Sequence, residues 1–222
     1  MLSERSALSD IDSRVTVGLP VLKASVSAEQ RAVWQKDSRY RTFVLIGFWV
    51  LIVTVLVWRA YGVHRLGLSL FIGLQFAGFL VYSLFEYLFH RFVFHFQWKN
   101  RGRTEAEYLD KSHHNSPNSP TQLPKFPGYL ALFGVIFFAV FRPVLGTAWA
   151  ESFSAAFLIG YISYEAVHYF CHNHVPRSRV GKYLNKNHMI HHYVDPQARF
   201  GITTPLWDII FGTYRTVPKR AV

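Results

Sequence analysis

LGLSLFIGLQFAGFLVYSLFEYLFHRFVFH, Leu66 to His95, runs for 20 residues without a charge before Glu86, and carries His90 and His95 beyond it. At a rise of about 1.5 Å per residue, such a run crosses the ~30 Å hydrocarbon core of a bilayer as one helix. Thr42–Trp58, 17 uncharged residues, precedes it across a short link holding Arg59, His64 and Arg65. The two runs predict an antiparallel membrane hairpin. Phe126–Phe141 is a third uncharged run, closed by Arg142-Pro143, and a fourth apolar stretch from Val144 to Val167 is interrupted by Glu151 and Glu165. This second hairpin is shorter in its runs and could be tilted, partly re-entrant or packed against the first. The expected architecture is all-α: an integral membrane protein with about four transmembrane helices in two hairpins and a cytosolic helical cap.

Composition agrees. Half of the 222 residues are hydrophobic and only 17% are charged, below the roughly 25% of a soluble domain. The net charge of +11 is scattered between apolar spans instead of forming a stripe on a polar fold, which argues against nucleic acid as a partner. Lys and Arg number seven in residues 1–41, six in 91–125 and eight in 171–222, against three in the two opposite links. The positive-inside rule then puts both termini and the 91–125 loop in the cytoplasm, in the inner membrane of a bacterium or the endoplasmic reticulum of a eukaryote. Residues 1–41 read as a polar cytosolic arm and 42–222 as the membrane domain.

The single cysteine, Cys171, excludes an intramolecular disulfide and any Cys-rich metal site. The eleven histidines are clustered instead. On the expected topology His90, His95, His113, His114, His168, His172, His174, His188, His191 and His192 all fall at or beyond the cytoplasmic helix ends, and His64 alone lies outside. His168 and His172 are four apart, the spacing at which two imidazoles on one helix face grip a single ion. His188, His191 and His192 offer both three- and four-residue pairs. His90 and His95 are five apart, some 140° around a regular helix, so that helix either bulges or gives its two rings to different metals. Glu86, one turn before His90, is placed to accept that ring's second N–H.

A lone histidine near a helix end is more often a satisfied polar residue than a ligand, and His64 and His174 keep that reading. Four clusters on one side of a membrane point to metal, and more histidines than one ion can hold imply two. Nitrogen ligation suits iron, zinc, cobalt or nickel; beside an acyl chain, a redox metal that activates O₂ fits best. Residue type alone does not choose among these metals.

At these residues the sequence resembles the fatty acid hydroxylase superfamily of integral-membrane diiron enzymes, and within it the fatty acid 2-hydroxylases. The likeness rests on His90-Arg-Phe-Val-Phe-His95, His113-His114 followed by Pro117, His168-Tyr-Phe-Cys-His172, His188-Met-Ile-His191-His192-Tyr193, and a tail from Phe200 through Trp207-Asp208 to Phe211-Gly212-Thr213. It implies nine histidine ligands: His90, His95, His113, His114, His168, His172, His188, His191 and His192. Where the family carries a tenth histidine this chain has Asp110, a candidate carboxylate ligand.

The resemblance further implies O₂-dependent hydroxylation of a lipid acyl chain at the 2-position. Its cofactors would be two iron ions, with zinc as the alternative in a purified form, and electrons would come from a separate ferredoxin or cytochrome b5 donor. The alternatives are a sterol or carotenoid hydroxylase or desaturase of the same superfamily and, further off, a metal transporter. Phe200, Trp207 and Phe211 could shape an acyl tunnel or pack the cap against the membrane interface. Glu86, Glu165 and Asp208 could orient ligand imidazoles, and Asp195 is a further candidate. Arg177, Arg179, Lys182 and Lys186 could meet phosphate head groups or form a solvated basic face.

Overall fold

The computed structural model describes residues 28–95 and 128–216. Every regular element among them is helical. Helix α1, Ala28–Val57, continues into a π-helical turn at Trp58–Val63; α2, Leu68–Phe89, continues into a second at His90–Phe94. Then follow α3 (Gly128–Leu145), α4 (Thr147–Asn173), α5 (Arg179–Tyr193) and the short α6 (Leu206–Ile210). The stretch 28–41, expected in the polar arm, is already helical and extends the first apolar run backward.

Two helices, Thr42–Val63 and Leu68–Phe94, are long and apolar enough to cross a membrane, and a shorter apolar segment covers Gly134–Leu145. Their outward side chains are large and apolar, with Phe48, Leu51, Ile72 and Phe76 all more than half exposed. That is the surface expected of helices solvated by lipid.

Helix α4 is the centre of the bundle and packs against α1, α2 and α3. Its contact with α2 is close because glycines remove side chains where the helices cross. A Cβ on Gly78 would lie 2.6 Å from the Phe153 carbonyl oxygen, and one on Gly160 would lie 2.4 Å from Cδ1 of Tyr82. Between apolar helices small residues let backbones approach and polar side chains join them; here the Gln75 amide donates to both the carbonyl and the hydroxyl of Ser152 at 2.9 Å. Tyr82, Phe157, Leu158, Tyr161, Tyr164 and Ile202 form the core around this contact.

One of the two carboxylates inside the fourth apolar stretch is matched by charge. Glu151, 3% exposed, accepts from Nε of Arg59 at 2.7 Å and lies 3.3 Å from Nε2 of His64. This ties α4 to the π-helical turn after α1 and places His64 at the end of the bundle opposite the other described histidines. Gly146, with φ of +81°, makes the tight turn from α3 into α4, a backbone state that favours glycine.

Candidate metal centre

Helix α4 carries His168 and His172 to its last turns, and α5 lays His188, His191 and His192 against them. Helix α5 starts where Ser178 accepts a hydrogen bond from the Gly181 backbone N–H at 3.0 Å, an ordinary N-cap that follows Pro176. Spaced by four, His188 and His192 share one face; His191 turns toward the end of α2.

There the five-residue interval between His90 and His95 is resolved by the π-helical turn. The His95 N–H bonds to the His90 carbonyl at 3.2 Å, an i→i+5 bond of the kind that recurs at functional sites. The extra residue per turn brings the two rings to one side, with Nε2 atoms 3.2 Å apart. The bulge, not a division between two metals, accounts for the spacing.

The imidazoles converge in two groups, His168, His172, His188 and His192 in one and His90, His95 and His191 in the other, with the ligand atoms of each group within 4.8 Å of one another. In the first, Nε2 of His172 is 3.2 Å from that of His168 and 2.8 Å from that of His188, which is 3.1 Å from that of His192. In the second, Nε2 of His95 is 3.2 Å from that of His90 and 3.1 Å from that of His191. A ring nitrogen has one in-plane proton or one in-plane lone pair, so it cannot hydrogen-bond two neighbours at once in different directions. Nitrogens about 2.0–2.1 Å from one shared ion would sit roughly 2.9–3.4 Å apart, and the observed spacing fits that arrangement. Each group could hold a metal ion.

Two of the second group's three tautomers are fixed from outside. Nδ1 of His90 lies 2.6 Å from the Phe200 carbonyl oxygen and Nδ1 of His191 lies 2.7 Å from that of Ala198. A carbonyl only accepts, so both Nδ1 atoms carry the proton and both Nε2 atoms offer lone pairs inward. The strap 198–203 that supplies these carbonyls is clamped along its length. The Arg199 N–H donates to the Thr213 carbonyl at 3.1 Å. Phe200 and Gly201 donate to the two oxygens of Asp208, each at 2.8 Å. Ile202 and Thr203 donate to Oε1 of Glu86 at 2.6 and 3.0 Å.

This corrects the direct bond to His90 expected of Glu86. Glu86 and Asp208 hold the strap that orients the imidazoles and bond to its backbone, and Asp208 also accepts from the Thr213 hydroxyl at 2.7 Å. Burial pushes the Asp208 carboxyl above its usual range, against the opposing pull of those donors. Asp195 instead shapes the preceding turn, accepting from the Gln197 N–H at 3.0 Å. Glu165 is buried in α4 one turn before His168, beside Tyr161, and Tyr164 stacks on the His168 ring at 5.5 Å.

Arg199 is a part of the site that side-chain pattern did not suggest. Its φ of +58° is unusual for a non-glycine residue. The buried guanidinium donates to Oδ1 of Asn187 and, at 2.9 Å, to the Arg215 carbonyl, and it lies 4.1 Å over the Tyr214 ring. Arg199 therefore anchors the strap between the two carbonyls that hold His191 and His90.

Phe200 is buried with its ring edge-on to His90, His95 and His191 at 5.4–5.8 Å. Trp207 donates from Nε1 to the Ser83 hydroxyl at 2.9 Å, and Phe211 stacks on Tyr87 at 5.3 Å. Both therefore pack on the end of α2. His174 is exposed at the end of α4 and stands outside both groups. Asp110, His113 and His114 lie outside the described residues.

The fatty acid hydroxylase family matches residues 75–213, a stretch that contains every histidine of both groups. The dihydroceramide fatty acyl 2-hydroxylase FAH1 of Arabidopsis thaliana is 31% identical over 187 residues, covering 81% of this chain and 79% of the plant protein. The fatty acid 2-hydroxylase of Rattus norvegicus is 37% identical over 164 residues, covering 69% of this chain and 42% of the rat protein. Among solved structures, full-length scs7p, in which only the hydroxylase domain is visible, superposes with a TM-score of 0.70 at 28% identity, over 79% of this chain and 67% of that one. The buried imidazole groups, the strap that orients one of them and the match across both make this chain a member of the fatty acid hydroxylase family.

Proposed function

We propose that the chain hydroxylates a lipid acyl chain at its 2-position, using O₂ and a pair of iron ions held by the two histidine groups. The observation that carries this reading is the convergence of buried imidazoles in two adjacent groups at one end of an apolar helix bundle. Nitrogen-rich sites of this kind suit a redox metal, and a bundle end is where an acyl chain can reach from the bilayer. The position on the chain is supported by the relatives, whose names are fatty acid or dihydroceramide fatty acyl 2-hydroxylases.

When bound, the ions would supply O₂ activation, and the balance is RH + O₂ + 2 e⁻ + 2 H⁺ → ROH + H₂O. The chain's residues supply the rest. The Nε2 atoms of seven described imidazoles converge inward, and backbone carbonyls fix the tautomers of two. The strap, clamped by Glu86, Asp208 and Arg199, keeps that geometry. Phe200 shields one group, and the apolar surface formed by Leu206, Ile209, Ile210 and Phe211, all exposed, continues from the end of α2 and offers lipid a path to the site. Phe200, Trp207 and Phe211 are the candidate wall of that path.

We read the bundle as four spans in two hairpins with both termini cytoplasmic, because basic residues concentrate at the histidine-bearing end. Asp110, His113 and His114 complete the ligand sets in this reading. Metal transport is disfavoured because the described imidazoles sit at helix ends, whereas transporter sites lie near the midplane on broken helices.

Lipid profiles of cells with and without the gene, followed by ¹⁸O₂ labelling of the purified protein, test the reading. A 2-hydroxy acyl lipid carrying one ¹⁸O is expected. A product oxidised on a sterol or carotenoid would move the chain to another branch of chemistry, and product formed without O₂ would overturn the hydroxylase reading.

A further inference from the structure

The face of α5 turned away from the histidines has no part in holding metal, and it is strongly basic. Arg179, Lys182, Tyr183 and Lys186 recur at three- and four-residue intervals and so form one stripe. Arg179, Lys182 and Tyr183 are exposed and Lys186 is half-buried. No aspartate or glutamate occurs between Ala166 and Val194, and among the described residues the ion pairs involve none of these three cations. At 100° per residue the stripe centres opposite His188, His191 and His192. A helix with its side chains is about 10–12 Å across, so one helix thickness separates the basic surface from the imidazoles.

A bonded route joins the two sides. The Tyr183 hydroxyl lies 3.1 Å from that of Tyr214, whose ring carries the Arg199 guanidinium at 4.1 Å. Arg199 sits between Ala198 and Phe200, whose carbonyls hold His191 and His90.

We propose that this stripe docks an acidic one-electron carrier protein, and that the two electrons consumed per turnover enter here. The proposal rests on the hydroxylase reading, whose balance takes two electrons from an external donor. Charge complementarity selects an acidic partner and governs its encounter rate and specificity. Position favours a protein over an anionic lipid surface: His188 and His191 on the inner face of α5 close on His172 of α4 and on His95 at the end of α2, so the stripe faces away from the apolar bundle.

The test uses the full chain in nanodiscs of neutral phosphatidylcholine, comparing the parent with an Arg179→Glu/Lys182→Glu/Lys186→Glu variant of equal metal content. The probes are the oxidised haem domain of cytochrome b5, which is acidic, and cytochrome c, which is basic. The parent should bind the cytochrome b5 domain with an affinity that falls as salt rises, and three reversals should weaken that binding by about tenfold or more. Cytochrome c should show the opposite order, and turnover driven by dithionite and O₂ should be the same in both proteins. Equal affinity of parent and variant for the cytochrome b5 domain, or no binding to the parent at low salt, overturns the proposal. So does a charge-reversal effect seen only on phosphatidylglycerol vesicles, which would make the stripe a lipid contact. A parent that forms no 2-hydroxy product with dithionite and O₂ overturns the hydroxylase reading itself, and with it the electron-entry role, whatever the binding shows.

Discussion

Nδ1 of His90 lies 2.6 Å from the carbonyl oxygen of Phe200, 110 residues away in sequence. The neighbouring strap carbonyl, from Ala198, does the same for His191 at 2.7 Å. One short segment therefore sets the tautomer of two rings in the three-histidine group, while neither bond reaches the four-histidine group. Disturbing the strap should separate the two groups functionally.

Asp208→Ala should do so. Asp208 receives the Phe200 and Gly201 N–H groups and the Thr213 hydroxyl, and each buried donor left without an acceptor costs about 1–3 kcal/mol. Losing a residue that orients metal ligands typically weakens metal binding by about 10–100-fold. The expected result is metal content falling from two ions per chain toward one, measured by elemental analysis after dialysis against a weak chelator. A variant that keeps both ions with parental affinity would show that the strap does not govern ligand geometry.

Gly160→Ala should destabilise the bundle, whereas Gly73→Ala should not. The added Cβ at 160 would meet Cδ1, Cγ and Cβ of Tyr82 at 2.4, 2.5 and 2.8 Å, and at 73 it would meet nothing within 4 Å. Tyr82 is fully buried, so its ring has no free direction in which to yield. Overpacking of this kind costs about 1–3 kcal/mol. Thermal unfolding in one detergent, with Gly73→Ala as the internal control, reads the difference directly.

At the opposite end of the bundle the partners of an ion pair are unequally buried, with side chains 43% exposed for Arg59 and 3% for Glu151. Removing the exposed partner should therefore be worse than removing the buried one. Arg59→Ala strands a buried carboxylate with only His64 beside it, whereas Glu151→Gln leaves an arginine that can turn to solvent. Loss of a fully buried partner costs about 3–5 kcal/mol and exposed pairs are worth about 0–1, so a loss on the order of 1–3 kcal/mol is expected for Arg59→Ala and less for Glu151→Gln. The opposite ranking in urea or thermal melts would mean that Glu151 is not held by charge.

What the sequence made legible was periodicity and residue type. The uncharged runs located two helices long enough to span, and the i,i+4 pair His168/His172 and the triplet His188/His191/His192 located most of the ligand groups. Backbone features were hidden. Nothing in His90-Arg-Phe-Val-Phe-His95 distinguishes a π-helical turn from a regular helix, although the mismatch of five residues with a 3.6-residue period left a bulge as one of two possibilities. The carbonyls of Ala198 and Phe200 have no side-chain signature, so the spacing of Glu86 from His90 suggests a direct bond to that ring, whereas Glu86 and Asp208 hold the segment that does the orienting. Arg199 stood in no motif; its role depends on a left-handed backbone and on Tyr214 and Asn187, which only folding brings to it.

Asp110 stands, in the resemblance read from the sequence, where a histidine is expected. The described residues supply four imidazoles to one group and three to the other, fewer than two six-coordinate iron ions would use. His113 and His114 are the remaining histidines that the resemblance implies as ligands, and Asp110 precedes them by three and four residues, intervals that would keep it on their side of a helical turn. Carboxylate oxygen is an ordinary iron ligand, and its negative charge favours the higher oxidation states reached when O₂ is activated. If Asp110 is a ligand, Asp110→Ala should lose one ion and most activity, Asp110→His should keep much of both, and Asp110→Asn should fall between them. The His variant makes the test specific, since a solvent-facing acid beside Lys111 would give no reason for imidazole to rescue where alanine fails. An Asp110→Ala protein that binds two ions and turns over like the parent would remove Asp110 from the ligand set.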